Sequence, residues 1–164
     1  MSERREWPKV ILFRVLPVVA LLLGALAGFL KWQDASARGA QIAATESVAA
    51  ASDTTVAMLS YSADTSEKEL NEARSRLTGS FLEEYTKLIN TVVIPGAKEK
   101  QISAVAKVSA AASVSATPDH AVVLVFVDQT TTIGKDAPTA SASSVRVTVD
   151  HIGGRWLVSG FEPV

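Results

Sequence analysis

The sequence contains no cysteine, which excludes a disulfide framework, a cysteine-ligated zinc and a thiol nucleophile. A domain built from it outside the cytoplasm must therefore rely on its core alone. Histidine is scarce: His120 and His151 are the only two. No metal-ligand spacing, phosphate-cradling glycine loop or serine-histidine-aspartate order is present. Excess charge is also lacking. The formal net charge is −1, and Arg4, Arg5, Lys9 and Arg14 against Glu3 and Glu6 place +2 before Leu30, which leaves −3 on the remainder. That is no footprint for nucleic acid. The 164 residues leave room for one anchor and one domain of about 100 residues, too small for two cores.

What the chain does have is a long apolar run. Val15 to Leu30 carries no charge, and Val10 to Phe13 with Arg14 extend the stretch to Lys31. A bilayer span needs about 20 mostly apolar residues, so residues 10–31 are predicted to form one transmembrane helix. The basic residues cluster before it, which places the amino terminus in the cytoplasm and the following domain outside. Arg14 can snorkel to the inner interface, and Trp7 and Trp32 suit the two interfacial aromatic belts. The competing reading is a cleaved signal peptide, with Ala35-Ser36-Ala37 as the small-residue site. The charged, bulky Lys31-Trp32-Gln33-Asp34 approach favours a retained anchor. The resulting division is a cytoplasmic tail 1–9, a transmembrane helix 10–31, a helical stalk 32–60 and an extracytoplasmic domain 61–164.

In the stalk, Ile42, Ala49 and Val56 recur at seven with Thr45, Ser52 and Leu59 between them, a thin stripe suited to lying against the domain or a partner helix. A second helix is expected from Ser66, where Ser66 and Glu69 match a capping box; Leu70, Ala73 and Leu77 line its face and Gly79 is placed to end it. Ser80 and Glu83 repeat the capping box, and Phe81, Leu82, Tyr85, Leu88 and Ile89 form the next apolar stripe. Pro95-Gly96 is expected to break this helix.

The period then becomes two. The even positions from Ile102 to Val114 are apolar or Ala, predicting a half-buried strand. Thr117-Pro118-Asp119 marks a turn. Ala121 to Val127 is apolar on both faces and reads as a central strand. Gly134 to Ser144 lacks core residues and reads as a long loop. Val145 to Val149 and Arg155 to Phe161 follow as strands, joined by a Gly153-Gly154 hairpin turn. That turn predicts Val149 opposite Val158 and Val147 opposite Gly160, with Leu157 and Phe161 sharing a face with Leu124 and Phe126. The fold class is thus α+β: helices packed on a four-stranded antiparallel sheet. Curvature of that sheet would give a cone with a pocket.

The ordered segments LTGSFLEEYTKL (Leu77 to Leu88), VIPGAKEKQI (Val93 to Ile102), AVVLVFVDQTTT (Ala121 to Thr132) and GRWLVSGFEPV (Gly154 to Val164) resemble the Mce-associated membrane proteins of actinobacteria. That resemblance implies a nuclear transport factor 2-like ectodomain on a single-pass anchor. It also implies an accessory role in lipid or sterol import by an Mce transporter, whose subunits would be the protein partners. The bitopic inner-membrane subunit of type IV secretion systems has a similar plan.

Relatives of this fold include isomerases and dehydratases that use an Asp or His in the cone. The candidates here are His120, Asp128, Asp150 and His151. Asp128, at the end of the apolar strand, is the best placed, but it lacks a base partner; Asp150 suits an ion pair with Arg146. No enzymatic activity and no cofactor are therefore expected. The candidate pocket or contact face is Leu124, Phe126, Asp128, Leu157 and Phe161. Two functions follow: an assembly subunit of a lipid transporter, or a module binding a hydrophobic ligand such as a lipid.

Overall fold

The computed structural model describes Gly24, Lys31 and residues 38–164, and its compact unit Ala40–Val164 carries the contacts given below. The expected anchor, with Trp7, Arg14 and Trp32, lies outside the described residues. Among the described residues, no helix is long and apolar enough to cross a membrane.

Helix α1 occupies residues 38–59, where frequent Ala and the lack of Gly and Pro after Gly39 favour helix. Its buried face is Ala43, Ser47, Ala51, Thr54, Thr55 and Met58. The expected seven-residue stripe is not that face, and Ile42 is 60% exposed. A straight helix on a sheet buries residues at a period near 3.6, whereas a heptad stripe drifts about 20° per repeat. The buried residues are mostly small, so the helix backbone lies close to the sheet. Trp156 Nε1 donates to Glu46 Oε2 at 3.2 Å near one end, and Gln129 Nε2 donates to the Leu59 carbonyl at 3.1 Å near the other.

Helix α2 (Ser66–Ala73) buries Leu70 and Ala73 as the sequence indicates. The capping box does not form. Ser66 lies inside the helix, fully buried, and its hydroxyl donates back to the Ala63 carbonyl at 3.3 Å. Glu69 instead accepts from the Ser62 N–H at 2.9 Å. A single 3₁₀ turn (Arg74–Arg76) follows, and Leu77 is buried. Gly79 (φ 62°) then opens helix α3 (Gly79–Leu88) rather than closing α2. Its N-cap is Thr78, without a side-chain cap, so the second predicted capping box is also absent.

Pro95-Gly96 does not break the helix. A π-turn (Ile89–Val93) leads directly into helix α4 (Ile94–Lys100), with Pro95 in its first turn. Proline lacks an N–H and clashes with the carbonyl four residues back. The wider π-turn just ahead resets the ladder, so Pro95 falls at a helix start, where a missing donor costs little. The chain leaves α4 through Gln101 in the left-handed region (φ 53°).

The sheet order is β1-β2-β3-β4, all antiparallel: β1 (Ile102–Ala116), β2 (His120–Ile133), β3 (Thr139–Ile152) and β4 (Arg155–Pro163). Val123, Val125, Val127, Val145, Val147, Val149 and Val158 face the helices and join Leu70, Tyr85 and Ile89 in one core. Three differences from the sequence reading matter. Beta-bulges at Val108/Ala110 and Ser113/Ser115 interrupt the even-residue alternation of β1, so Ala111 rather than Ala110 turns to the core. The expected loop Gly134 to Ser144 is mostly strand: Thr139 pairs with Thr131 and Ser144 with Phe126, leaving residues 134–138 as the connection. Small Ala and Ser there have no core to fill, but the backbone of β2 supplies the ladder. Finally, Val149 faces Val158 as the Gly153-Gly154 turn dictates, but a bulge between Thr148 and Val149 pairs Val147 with Phe161 instead of Gly160.

Candidate functional site

The bulge at Ser159 decides where the candidate residues stand. A one-residue shift of register moves a side chain to the other face of a sheet. Phe161 is therefore carried to the helix side, where it stacks on Phe81 of α3 with ring centroids 6.2 Å apart. Leu124, Phe126 and Asp128, at alternate positions of β2, stay on the opposite face, which no helix covers among the described residues, and Leu157 pairs with Asp150 there. The expected five-residue face is thus divided between two sides of the sheet.

On the helix side lies an apolar cavity of about 440 Å³. Met58 of α1, Leu70 of α2, Phe81, Tyr85 and Ile89 of the α3 region and Phe161 of β4 form its walls, with Glu84 and Gln129 among its few polar groups. Tyr85 Oη donates to the Met58 carbonyl at 3.4 Å, and burial raises its hydroxyl well above the usual tyrosine value. The wall residues come from four separate elements, and the apolar stripe of α3 is the part legible in the sequence. The bulge that adds Phe161 leaves no signature in residue type.

On the open side, Phe126 is 43% exposed and lines a shallow depression of about 510 Å³ with Asp128, Ser109, Ala142, Ser144 and the terminal Val164. Val105 of β1, at the outward positions of the same face, is 66% exposed. An antiparallel sheet with one wet face ordinarily alternates apolar and polar residues. Strand β2 instead carries Val122, Leu124 and Phe126 on the face that no helix covers among the described residues.

The titratable candidates form a separate group. His120 Nδ1 lies 2.6 Å from Asp150 Oδ1, its direct partner across the β2–β3 pair. The expected Asp150–Arg146 pair does not form, because four residues along one strand separate them by about 13 Å. Arg146 sits 3.7 Å from Glu162, its opposite residue on β4. Partial burial works to raise the Asp150 carboxyl, but hydrogen bonds from Ser159 and His120 and the His120 charge together hold it below its ordinary value. His151 stacks on Trp156 at 4.9 Å. Asp128 stands apart from both histidines, so no acid–base pair is assembled around it. Among the described residues, no three His, Asp or Glu side chains converge as a metal site.

Three comparisons bear on this geometry. The chain is 61% identical over 159 residues to a Mycobacterium tuberculosis protein named outer membrane protein Rv1973, covering 97% of this chain and 99% of that one. The fold is similar to that of an IcmL-like type IV secretion system protein from Legionella pneumophila (TM-score 0.62, 10% identity, 71% of this chain and 88% of that chain). It is also similar to that of the VirB8 protein of Agrobacterium tumefaciens (TM-score 0.57, 17% identity, 71% and 88%). At these identities the structures establish a shared α+β fold, not a shared activity. The family model described as "Uncharacterized protein Rv1363c/MT1408-like" matches residues 9–164, and the chain belongs to that family.

Proposed function

We propose that this chain is a non-enzymatic, membrane-tethered subunit that assembles or stabilises a larger cell-envelope complex through its open sheet face. The observation that carries the reading is the apolar strip of half-buried Val122 and Leu124 and exposed Phe126, on a sheet face that no helix covers among the described residues. Contiguous exposed apolar surface on a folded domain marks a contact surface more often than chance packing. The relative named as an outer membrane protein and the fold shared with secretion-system proteins support an envelope setting. The sequence resemblance directs the choice of partner to Mce transporter subunits, with lipid or sterol import as the process served. A secretion-type scaffold is the alternative partner set.

The test is a crosslinked pulldown of the full-length protein from native membranes, wild type beside Phe126→Ser. The reading expects Mce-type permease or substrate-binding subunits with the wild type, and recovery reduced about tenfold in the variant at unchanged melting temperature. Secretion-system subunits in their place would redirect the reading to that machinery. Equal recovery by both proteins would remove the open face from the interface.

The 440 Å³ cavity favours a second reading, a module holding one hydrophobic ligand. Native mass spectrometry of the detergent-purified chain would show a bound lipid under this reading. An empty protein would count against it.

A further inference from the structure

The edges of this sheet are protected unequally. Along β4, the Leu77–Thr78 segment covers Val158, with Thr78 N–H donating to the Val158 carbonyl at 2.9 Å, and Pro163 closes the strand. The first part of β1 is covered as well. Tyr61 and Ala104 exchange backbone hydrogen bonds of 2.9 and 2.8 Å, and the Ser60 hydroxyl accepts from the Ala106 N–H at 3.0 Å. Beyond Lys107 the outer edge of β1 has no such cover among the described residues. An uncovered edge presents a row of backbone donors and acceptors to any matching strand.

The sequence of that open stretch is its own reverse. Val108 to Val114 reads VSAAASV in both directions, centred on Ala111. Ala104 bonds outward to Tyr61, so Ser103, Val105 and Lys107 bond inward to β2. After the bulge at Ser109 the roles exchange: Ala110 and Ala112 face Phe126 and Leu124 of β2, and Ala111 turns its N–H and C=O to the open edge. An antiparallel pairing of two copies about a two-fold axis at Ala111 then sets Ala110 against Ala112, Ser109 against Ser113 and Val108 against Val114. Lys107 falls opposite Ser115, so no like charges meet. The bulges at Ser109 and Val114, which ordinarily bend an edge away from intruders, flank the regular stretch 110–113, of which 110–112 pairs with itself about Ala111. An isologous pairing sets position i against its mirror position, so the palindrome pairs Val with Val, Ser with Ser and Ala with Ala.

We propose that the open half of β1 is a homodimer interface, in which residues 108–114 of two copies pair antiparallel about Ala111 and join the two sheets into one. The occupant is a second copy of this chain, because a foreign strand would not require the palindrome. The edge borders the open face around Phe126, since Ala110 and Ala112 lie beside Phe126 and Leu124, but it pairs through backbone. Cysteine variants report on the edge and Phe126→Ser on the face, so either assignment can fail without the other.

The full-length chain in detergent or nanodiscs tests it. Wild-type sequence has no thiol, so Ala111→Cys introduces a single one that sits opposite itself only in this register. Under mild oxidation it is expected to give a disulfide-linked dimer, whereas Val105→Cys, in the covered half, remains monomeric. A charge pair provides the second measurement on the outward side chains of β1. Ala110→Glu with Ala112→Glu places like charges opposite twice and is expected to raise the dimer dissociation constant about tenfold; Ala110→Glu with Ala112→Lys places opposite charges there and restores it. A monomeric wild type, equal crosslinking of the two cysteine variants, or identical behaviour of the two charge variants with both folded would overturn the proposal.

Discussion

At the scale of the residue, Asp150 is the side chain whose environment the sequence hid most fully. Its partner His120 lies 30 positions away, and only the β2–β3 register brings the two within 2.6 Å. The folded carboxyl titrates below its unfolded value, so the native state binds fewer protons than the unfolded chain in the acid range. The stabilisation is complete above the ordinary aspartate value and is lost as pH falls through the lower folded value. Asp150→Asn is therefore expected to melt below wild type above about pH 5 and to converge with it as pH falls below the ordinary aspartate range. Thermal melts across that range check this; a gap that does not depend on pH would assign Asp150 a packing role only.

At the scale of the element, the strands were legible where burial enforces alternation and illegible where a bulge interrupts it. Val145, Val147 and Val149 alternate in sequence and in space. The Gly153-Gly154 turn has the positive φ angles, 59° and 77°, that a two-residue hairpin needs, so its local register was fixed in advance. Five residues after Gly154 the added Ser159 moves Phe161 from the open face to the helix side. Ser, Gly and Phe follow one another there without any residue type that demands a bulge. Gly160 does permit close approach, since a Cβ at that position would meet Thr148 at 3.3 Å. Inserting one Ser between Gly160 and Phe161 is expected to move Phe161 to the open face, break its stack on Phe81 and destabilise the domain by about 2 kcal/mol. Equilibrium denaturation measures this, and unchanged stability would mean the strand absorbs the inserted residue elsewhere.

At the scale of the whole molecule, α1 acts as part of the domain as well as a connection toward the amino terminus. Ala51 and Met58 belong to the same core as the valines of the sheet, and Ala51 is completely buried. Its size sets how closely the helix lies on the strands. Ala51→Leu adds bulk at that contact and is expected to cost about 1–3 kcal/mol, read as a lowered melting temperature, whereas the same change at exposed Ala49 is neutral. If both variants melt with wild type, α1 is only loosely applied to the sheet. The same packing completes the wall of the apolar cavity through Met58, so the cavity depends on a helix whose sequence reads as a thin stalk.

The sequence by itself determined the element types, their order, the core-facing valines, the Gly-Gly hairpin and the apolar character of β2, because hydrophobic period and turn chemistry are local properties. It also carried the family resemblance. Tertiary structure decided the rest. It selected the small-residue face of α1 over the larger heptad stripe, since the sheet admits only a close helix. It drew Thr139 to Ser144 into β3, since backbone pairing with β2 outweighs the weak strand preference of Ala and Ser. It continued the helix past Pro95 through a π-turn, and it placed Phe161 and Phe126 on opposite sides of one sheet. Each outcome depends on register and packing between residues distant in sequence, which no local pattern encodes.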